Sequence, residues 1–171
     1  MIDSRNDDYE EIIWEKHRPY IEFLSQVNNS CVFVSLLHVK YLFISPNFKN
    51  VIRLSLDGDI NFENDLLEEC IHPDDLSVLL NLQERTFDYV FKLPHNEQCD
   101  YKHIFEFCAL GVSGAYIRVI CQYKMLETGE HETPLLLLGG VDISPGQDLK
   151  APITFRLVNF KTVDIVNIPI I

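Results

Sequence analysis

Ile71-His72-Pro73-Asp74-Asp75 is the stretch that decides how this chain is read. Pro73 fixes its own φ and has no N–H to lose, so it suits the first turn of a helix. His72 then stands on the capping side. Asp74 and Asp75 put two negative charges where the helix dipole is positive. The helix runs on through Leu76, Leu79, Leu80 and Leu82 and stops before Pro94, which gives one long element over 73–92. Upstream lies Tyr41-Leu42-Phe43-Ile44-Ser45-Pro46-Asn47-Phe48, and downstream Gly139-Gly140-Val141-Asp142-Ile143-Ser144.

Working outward, residues 7–28 keep helical spacing at Tyr9, Ile12, Ile13, Tyr20, Phe23, Leu24 and Val27. Pro19 interrupts this amphipathic helix, and a kink or break near Arg18 is expected. Residues 31–37 and 39–44 form two strands joined around His38. Residues 46–67 hold short helices and a loop at Asp57-Gly58-Asp59. Strands over 101–110 and 115–126 flank Gly111-Val112-Ser113-Gly114, a hairpin turn. A turn at Glu127-Thr128-Gly129-Glu130 leads to the strand over 134–141. Its Leu135-Leu136-Leu137-Leu138 is apolar on both faces, so a central, doubly covered strand is expected. Core helices supply one cover, and the N-terminal helix is the candidate for the other, with a partner subunit as the alternative. Past Pro145 and Gly146, the alternation of Ile153, Phe155 and Leu157, followed after Lys161-Thr162 by Val163, Ile165 and Ile168, reads as a β-hairpin tail.

Composition sets the class. The chain has 171 residues, 47% of them apolar, and a formal net charge of -12. Nucleic-acid affinity comes largely from neutralising phosphates, so a polyanion of this kind should not bind DNA by itself. No apolar run approaches the ~18 residues of a membrane span. The acidic start (Asp3, Asp7, Asp8, Glu10, Glu11) is the opposite of a signal peptide. Five cysteines without CxxC spacing fit reduced thiols in the cytoplasm.

Catalytic motifs are sparse. Gly111–Gly114 is not a nucleophile elbow. Gly139-Gly140 belongs to no phosphate-loop pattern, and small residues there let the strand end pack closely. The acidic pairs Asp74-Asp75 and Glu68-Glu69 flank a helix start, and the helix dipole already explains the first pair, so catalytic carboxylates are not expected there. His95, Cys99 and His103 repeat every four residues, but Pro94 opens a loop and His103 falls in a strand, so the spacing loses the convergence that zinc requires. No metal site is expected.

Taken in order, the strand, Ser45-Pro46-Asn47-Phe48, short helices, Ile71–Asp75, long helix, strand pair and final strand ending in Asp142-Ile143-Ser144 resemble a PAS domain over 31–144. The entry from Phe23-Leu24 to Cys31 and the tail Leu157-Val158-Asn159-Phe160-Lys161-Thr162 are similar to bacterial LuxR-type transcriptional regulators, which carry an N-terminal PAS sensor and a C-terminal helix-turn-helix. The resemblance implies an α+β fold: a PAS-like five-stranded antiparallel sheet with helices on one face, an N-terminal helical extension (1–30) and a C-terminal β-hairpin tail (145–171). The tail departs from the commonest PAS pattern, in which a helix leaves after the last strand, and the output domain is expected to be absent from this chain.

A flavin photoadduct would need a cysteine-containing motif before the long helix. Cys70 is the only cysteine there, and it is out of register. Haem ligation by His72 or His103 competes with helix capping and cross-strand pairing, and the plainer roles are expected, so no cofactor is expected. A ligand pocket between sheet and helices would be walled by Tyr41, Phe43, Phe87, Phe105 and Tyr116. The opposite strand parity would turn Leu42 and Ile44 inward instead, and a filled core uses the same rings for packing. The expected function is that of a non-enzymatic sensory or dimerisation module. The alternatives are a regulatory module of a histidine kinase or cyclic-nucleotide enzyme, and a small α+β enzyme with an apolar pocket. Ile12, Ile13 and Trp14 widen the apolar surface of the first helix beyond what one sheet face covers, so a homodimer through that helix is expected.

Overall fold

The computed structural model describes residues 4–27, 31–36, 40–54, 68–128 and 136–168, with side chains from Ile12 onward. The helix α1 (Ser4–Gln26) is followed by β1 (Cys31–Leu36), β2 (Lys40–Ile44), short 3-10 turns at Pro46–Asn50 and Glu68–Cys70, α2 (Pro73–Phe91) and α3 (His95–Gln98). Then come β3 (Tyr101–Leu110), β4 (Tyr116–Glu127), β5 (Leu136–Ile143), β6 (Thr154–Asn159) and β7 (Ile165–Val166). The turns expected at His38 and Gly129-Glu130, the loop Asp57-Gly58-Asp59, and Leu135 lie outside the described residues.

The fold is α+β, with one antiparallel sheet in the order β2-β1-β5-β4-β3-β6-β7. Among the described residues it has seven strands, not five. The tail hairpin joins the same sheet, with β6 pairing along β3 from Glu106↔Thr154 to Tyr101↔Asn159. The cause is the alternation of the tail: Phe155 and Leu157 come opposite Phe105 and His103 and extend the apolar inner row. β5 lies between β1 and β4 and is covered on both faces. On the inner face Leu137 and Val141 join Phe33, Phe48, Leu79, Leu82, Phe87 and Val90 in the main core. On the outer face Leu136 and Leu138 pack with Val32, Val34 and Leu36 beneath Ile13 and Ile21 of α1.

The start of α2 is clasped to β3. His72 Nδ1 accepts from the Asp74 N–H at 3.2 Å and caps the helix. The His72 N–H donates to the Cys108 carbonyl at 2.8 Å, and the Cys108 N–H donates back to Asp75 Oδ2 at 2.7 Å. Bridges Ile71↔Ala109 and Ile52↔Gly111 continue the same contact along the edge that β6 leaves free.

Two local expectations are corrected. The helix assignment of α1 runs through Pro19 without a break. Pro19 lies on the exposed side, where water can satisfy the freed carbonyl, and Arg18 spans the site by bonding Glu15 (3.0 Å) and Glu22 (2.8 Å). In β2, the register steps from Val34↔Phe43 to Ser35↔Tyr41, leaving Leu42 as an extra residue. That bulge flips parity: Tyr41 and Ile44 face the main core, whereas Leu42 and Phe43 face α1, where Phe43 stacks on Trp14 at 5.7 Å.

Gly139 is where β5 can least tolerate a side chain. A Cβ there would lie 2.0 Å from the Phe33 ring. Gly139→Ala should cost at least ~2 kcal/mol by overpacking, and Phe33→Leu should recover part of it. Ile21 is 1% exposed and Phe23 65%. Urea unfolding is expected to show a loss of about 3 kcal/mol for Ile21→Ala and almost none for Phe23→Ala.

Candidate functional site

The inner layer between α2 and the sheet holds a polar group in an aromatic setting. His103 on β3 is fully buried. Its ring lies 4.8 Å from Phe87 on α2 and 4.8 Å from Tyr123, its cross-strand partner on β4. Phe105 stacks on Tyr123 at 5.6 Å and on Phe155 at 6.3 Å. Strand alternation sends 103, 105 and 107 inward, and the helical period brings Thr86, Phe87 and Val90 down on them.

Hydrogen bonding favours the Nδ1–H tautomer. The Thr86 hydroxyl donates to the Gln83 carbonyl at 2.8 Å, the back-bonding geometry of a mid-helix threonine. Having spent its one proton, Thr86 Oγ1 accepts from His103 Nδ1–H at 3.0 Å. In that tautomer Nε2 carries a lone pair, and among the described residues it meets no partner. Burial pulls the imidazole pKa down from about 6.5 to about 3, so the ring is neutral. A lone-pair nitrogen held by a second-sphere hydroxyl can accept a hydrogen bond from a ligand or bind one metal position. Among the described residues no three metal-ligating side chains converge. His95 is exposed on α3 and Cys99 caps it, both apart from buried His103.

Of the five proposed wall residues, Phe87 and Phe105 belong to the rings around His103. Tyr41 is on the same face but across the sheet, edge-on to Phe33 at 5.8 Å. Phe43 lies on the opposite face. Tyr116 lies at the far end of β4, edge-on to His72 at 4.4 Å, beside a cleft of about 130 Å³ bordered also by Asp75, Cys108 and Leu149. That volume falls below the ~300 Å³ of ordinary small-molecule sites. Thr86 and Tyr123 were not among the residues singled out from sequence. A threonine in a helix and a tyrosine in an alternating strand carry no signal until register pairs them. Cys70 donates its thiol proton to the Arg53 carbonyl, and burial, with Glu69, pushes its pKa up to about 11, so it is a poor nucleophile.

A second polar centre lies on the outer face. Arg118 is 2% exposed and bonds Glu106 Oε1 (3.2 Å) and the carbonyls of Ala151 and Pro152 (2.6 Å each). The Ser144 hydroxyl donates to Glu106 at 2.6 Å, Thr154 reaches its other oxygen at 3.3 Å, and Gln147 bonds the Arg118 backbone in both directions. Ser144 foremost, with Arg118 and Thr154, holds the Glu106 carboxyl below its usual range. The residue after β5 and the first part of the tail are thus fastened to the Arg118–Glu106 pair.

No protein-family model matches the sequence, and no curated protein sequence matches it. Among solved structures similar to it are two PAS-B domain structures and one sensory box protein. The PAS-B domain of Cycle from Drosophila melanogaster with bound ethylene glycol is 12% identical over 67% of this chain and 99% of that one, with a TM-score of 0.46. A tryptophan-to-alanine variant of it with bound glycerol gives the same values. A sensory box histidine kinase/response regulator from Burkholderia thailandensis is 18% identical over 71% of this chain and 82% of that one, with a TM-score of 0.43. Among the described residues no helix is long and apolar enough to cross a membrane.

The His103 burial has a measurable consequence. Its pKa is lower in the folded chain than in the unfolded one, so below about pH 6.5 the unfolded state binds the extra proton. This contribution to stability is complete above that pH and is lost progressively as pH falls toward 3. His103→Phe should flatten the decline between pH 6.5 and 4.5 in denaturant titrations. An unchanged slope would show that other groups carry it.

Proposed function

We propose that this chain is a PAS-type sensory module of a LuxR-like transcriptional regulator, non-enzymatic, signalling through its tail to a DNA-binding output domain. The observation that carries the sensing role is the buried, lone-pair-bearing Nε2 of His103, set among Phe87, Phe105 and Tyr123 with no partner among the described residues. The succession of two strands, helical segment and three strands supports the PAS reading. The LuxR-like reading is supported by the tail motif Leu157–Thr162, and the net charge of -12 fits a sensor that leaves DNA contact to another domain.

The ligand this site favours is a small apolar molecule with one hydrogen-bond donor. Donation to Nε2 satisfies an acceptor that otherwise stays desolvated, and the rings bury the rest. His103 is three residues from Glu106 on β3, and Glu106 with Arg118 fastens the tail. A ligand that prefers one tilt of β3 biases the tail between fastened and released arrangements, which needs only differential affinity. The module works as a homodimer through α1. That reading is supported by the exposure of Ile12, Tyr20, Phe23 and Leu24 beside the buried Ile13 and Ile21.

A thermal-shift panel of phenols and aliphatic alcohols tests the sensing role. A subset is expected to raise Tm of the native chain, and His103→Phe, which keeps a ring in the stack, is expected to abolish that rise. A panel with no stabilising compound, or an equal rise in His103→Phe, would overturn the assignment.

A further inference from the structure

One pleat row crosses all seven strands on the outer face: Phe43, Val34, Leu138, Lys124, Lys102, Val158 and Ile165 are successive cross-strand partners. α1 covers its first end, where Trp14 lies on Phe43. The other end is open, and Ile165 is 56% exposed. Lys102 and Lys124 stand directly opposite each other, a position in which like charges repel. Both ammonium groups lie over the Phe160 ring, at 5.7 and 5.5 Å, which offsets that repulsion without neutralising either charge. Among the described residues neither lysine meets a carboxylate.

The β6–β7 turn adds an independent sign. It is stapled by Asn159, whose Oδ1 accepts from the Lys161 and Thr162 N–H groups, and by Lys161 on Asp100 at 2.8 Å. Within it Val163 has φ 62, a conformation that is strained for a β-branched residue. Glycine would make this turn without strain. Instead the strain holds an isopropyl group 77% exposed, in the same turn as half-exposed Phe160.

We propose that this open end of the outer face is the docking surface for α1 of a second copy of the chain. The inference rests on the homodimer reading and supplies its other half. α1 presents Ile12, Tyr20, Phe23 and Leu24 to solvent, and acidic residues outnumber basic ones along the first 22 residues. An acidic helix with an apolar ridge complements an apolar row interrupted by two lysines lacking described carboxylate partners. Chains of charge -12 repel on average, so self-association needs a local site of opposite sign, and this pair of lysines supplies it. A two-fold axis would use the contact twice, helix to hairpin and hairpin to helix.

Light scattering and sedimentation of the full chain at tens of micromolar test this. A dimer is expected for the native chain. Lys102→Glu/Lys124→Glu should weaken it at least tenfold. Val163→Gly should weaken it severalfold while raising Tm at dilutions where the chain is monomeric, a pairing of opposite signs that a purely structural role would not give. Val163→Gly also decides the matter if the lysine variant fails to fold by circular dichroism. A monomeric native chain would overturn both the homodimer and this surface. A native dimer that Phe23→Glu dissociates, but that both hairpin-face changes leave intact, would retain the homodimer and overturn this surface. An acidic helix from a different protein binding the lysines, with self-association unaffected by their reversal, would overturn it too.

Discussion

The two-faced apolarity of β5 governs the rest of the structure. A strand with Leu137 and Val141 on one side and Leu136 and Leu138 on the other cannot be left open to water on either. Each buried leucine contributes roughly 2 kcal/mol only if a second layer excludes solvent from it. The inner layer is α2 with the short turns before it. The outer layer is α1, which is therefore part of the folded unit and not a loose leader. Lys16 and His17 fix one stretch of α1 to Glu127, and Asn47 bonds the Ser25 carbonyl nearer its other end. Gly139 follows from the same crowding, because Phe33 fills the place a side chain would take.

Where no helix covers it, the same sheet carries polar and charged side chains among its apolar ones. Lys102, Gln122, Lys124 and Arg156 occupy outward positions on β3, β4 and β6, while their neighbours at 103, 105, 123 and 157 are inward and buried. One seven-stranded sheet thus has a dry half and a half-wet half on its outer face. The boundary falls between β5 and β4, where the row changes from Leu138 to Lys124.

Sequence periodicity made much of this legible, and its failures have physical causes. Pro73 with two following aspartates marked the start of α2 to the residue, because a proline without N–H and carboxylates at a dipole end are local signals. The Leu135–Leu138 run pointed to a central strand and to α1 as its cover. The orientation of Phe43 was not legible, since one bulged residue reverses parity and nothing in Tyr41–Ile44 announces it. The seven-strand count was not legible either: the tail reads as a hairpin, but the strand it pairs with is a long-range choice. Helix continuity through Pro19 depends on which side of α1 faces water. The polar centres were the least legible. Arg118 and Glu106 look like ordinary surface charges in alternating strands until Ser144, Ala151 and Pro152 close over them.

β3 connects these features, because each of its surfaces has a different task. Its inner row carries His103, Phe105 and Phe107 into the core. Its outer row carries Lys102 and Glu106. Its edge is divided, with β6 along Tyr101–Glu106 and the α2 clasp at Cys108 and Ala109. Shifting one row of this strand without the other would break ladder hydrogen bonds at about 1 kcal/mol each. His103 and Glu106 thus share one stretch of backbone, held by the β4 ladder on one side and the β6 ladder on the other. At Glu106 the strand meets Arg118, a buried guanidinium that this carboxylate and the carbonyls of Ala151 and Pro152 together satisfy.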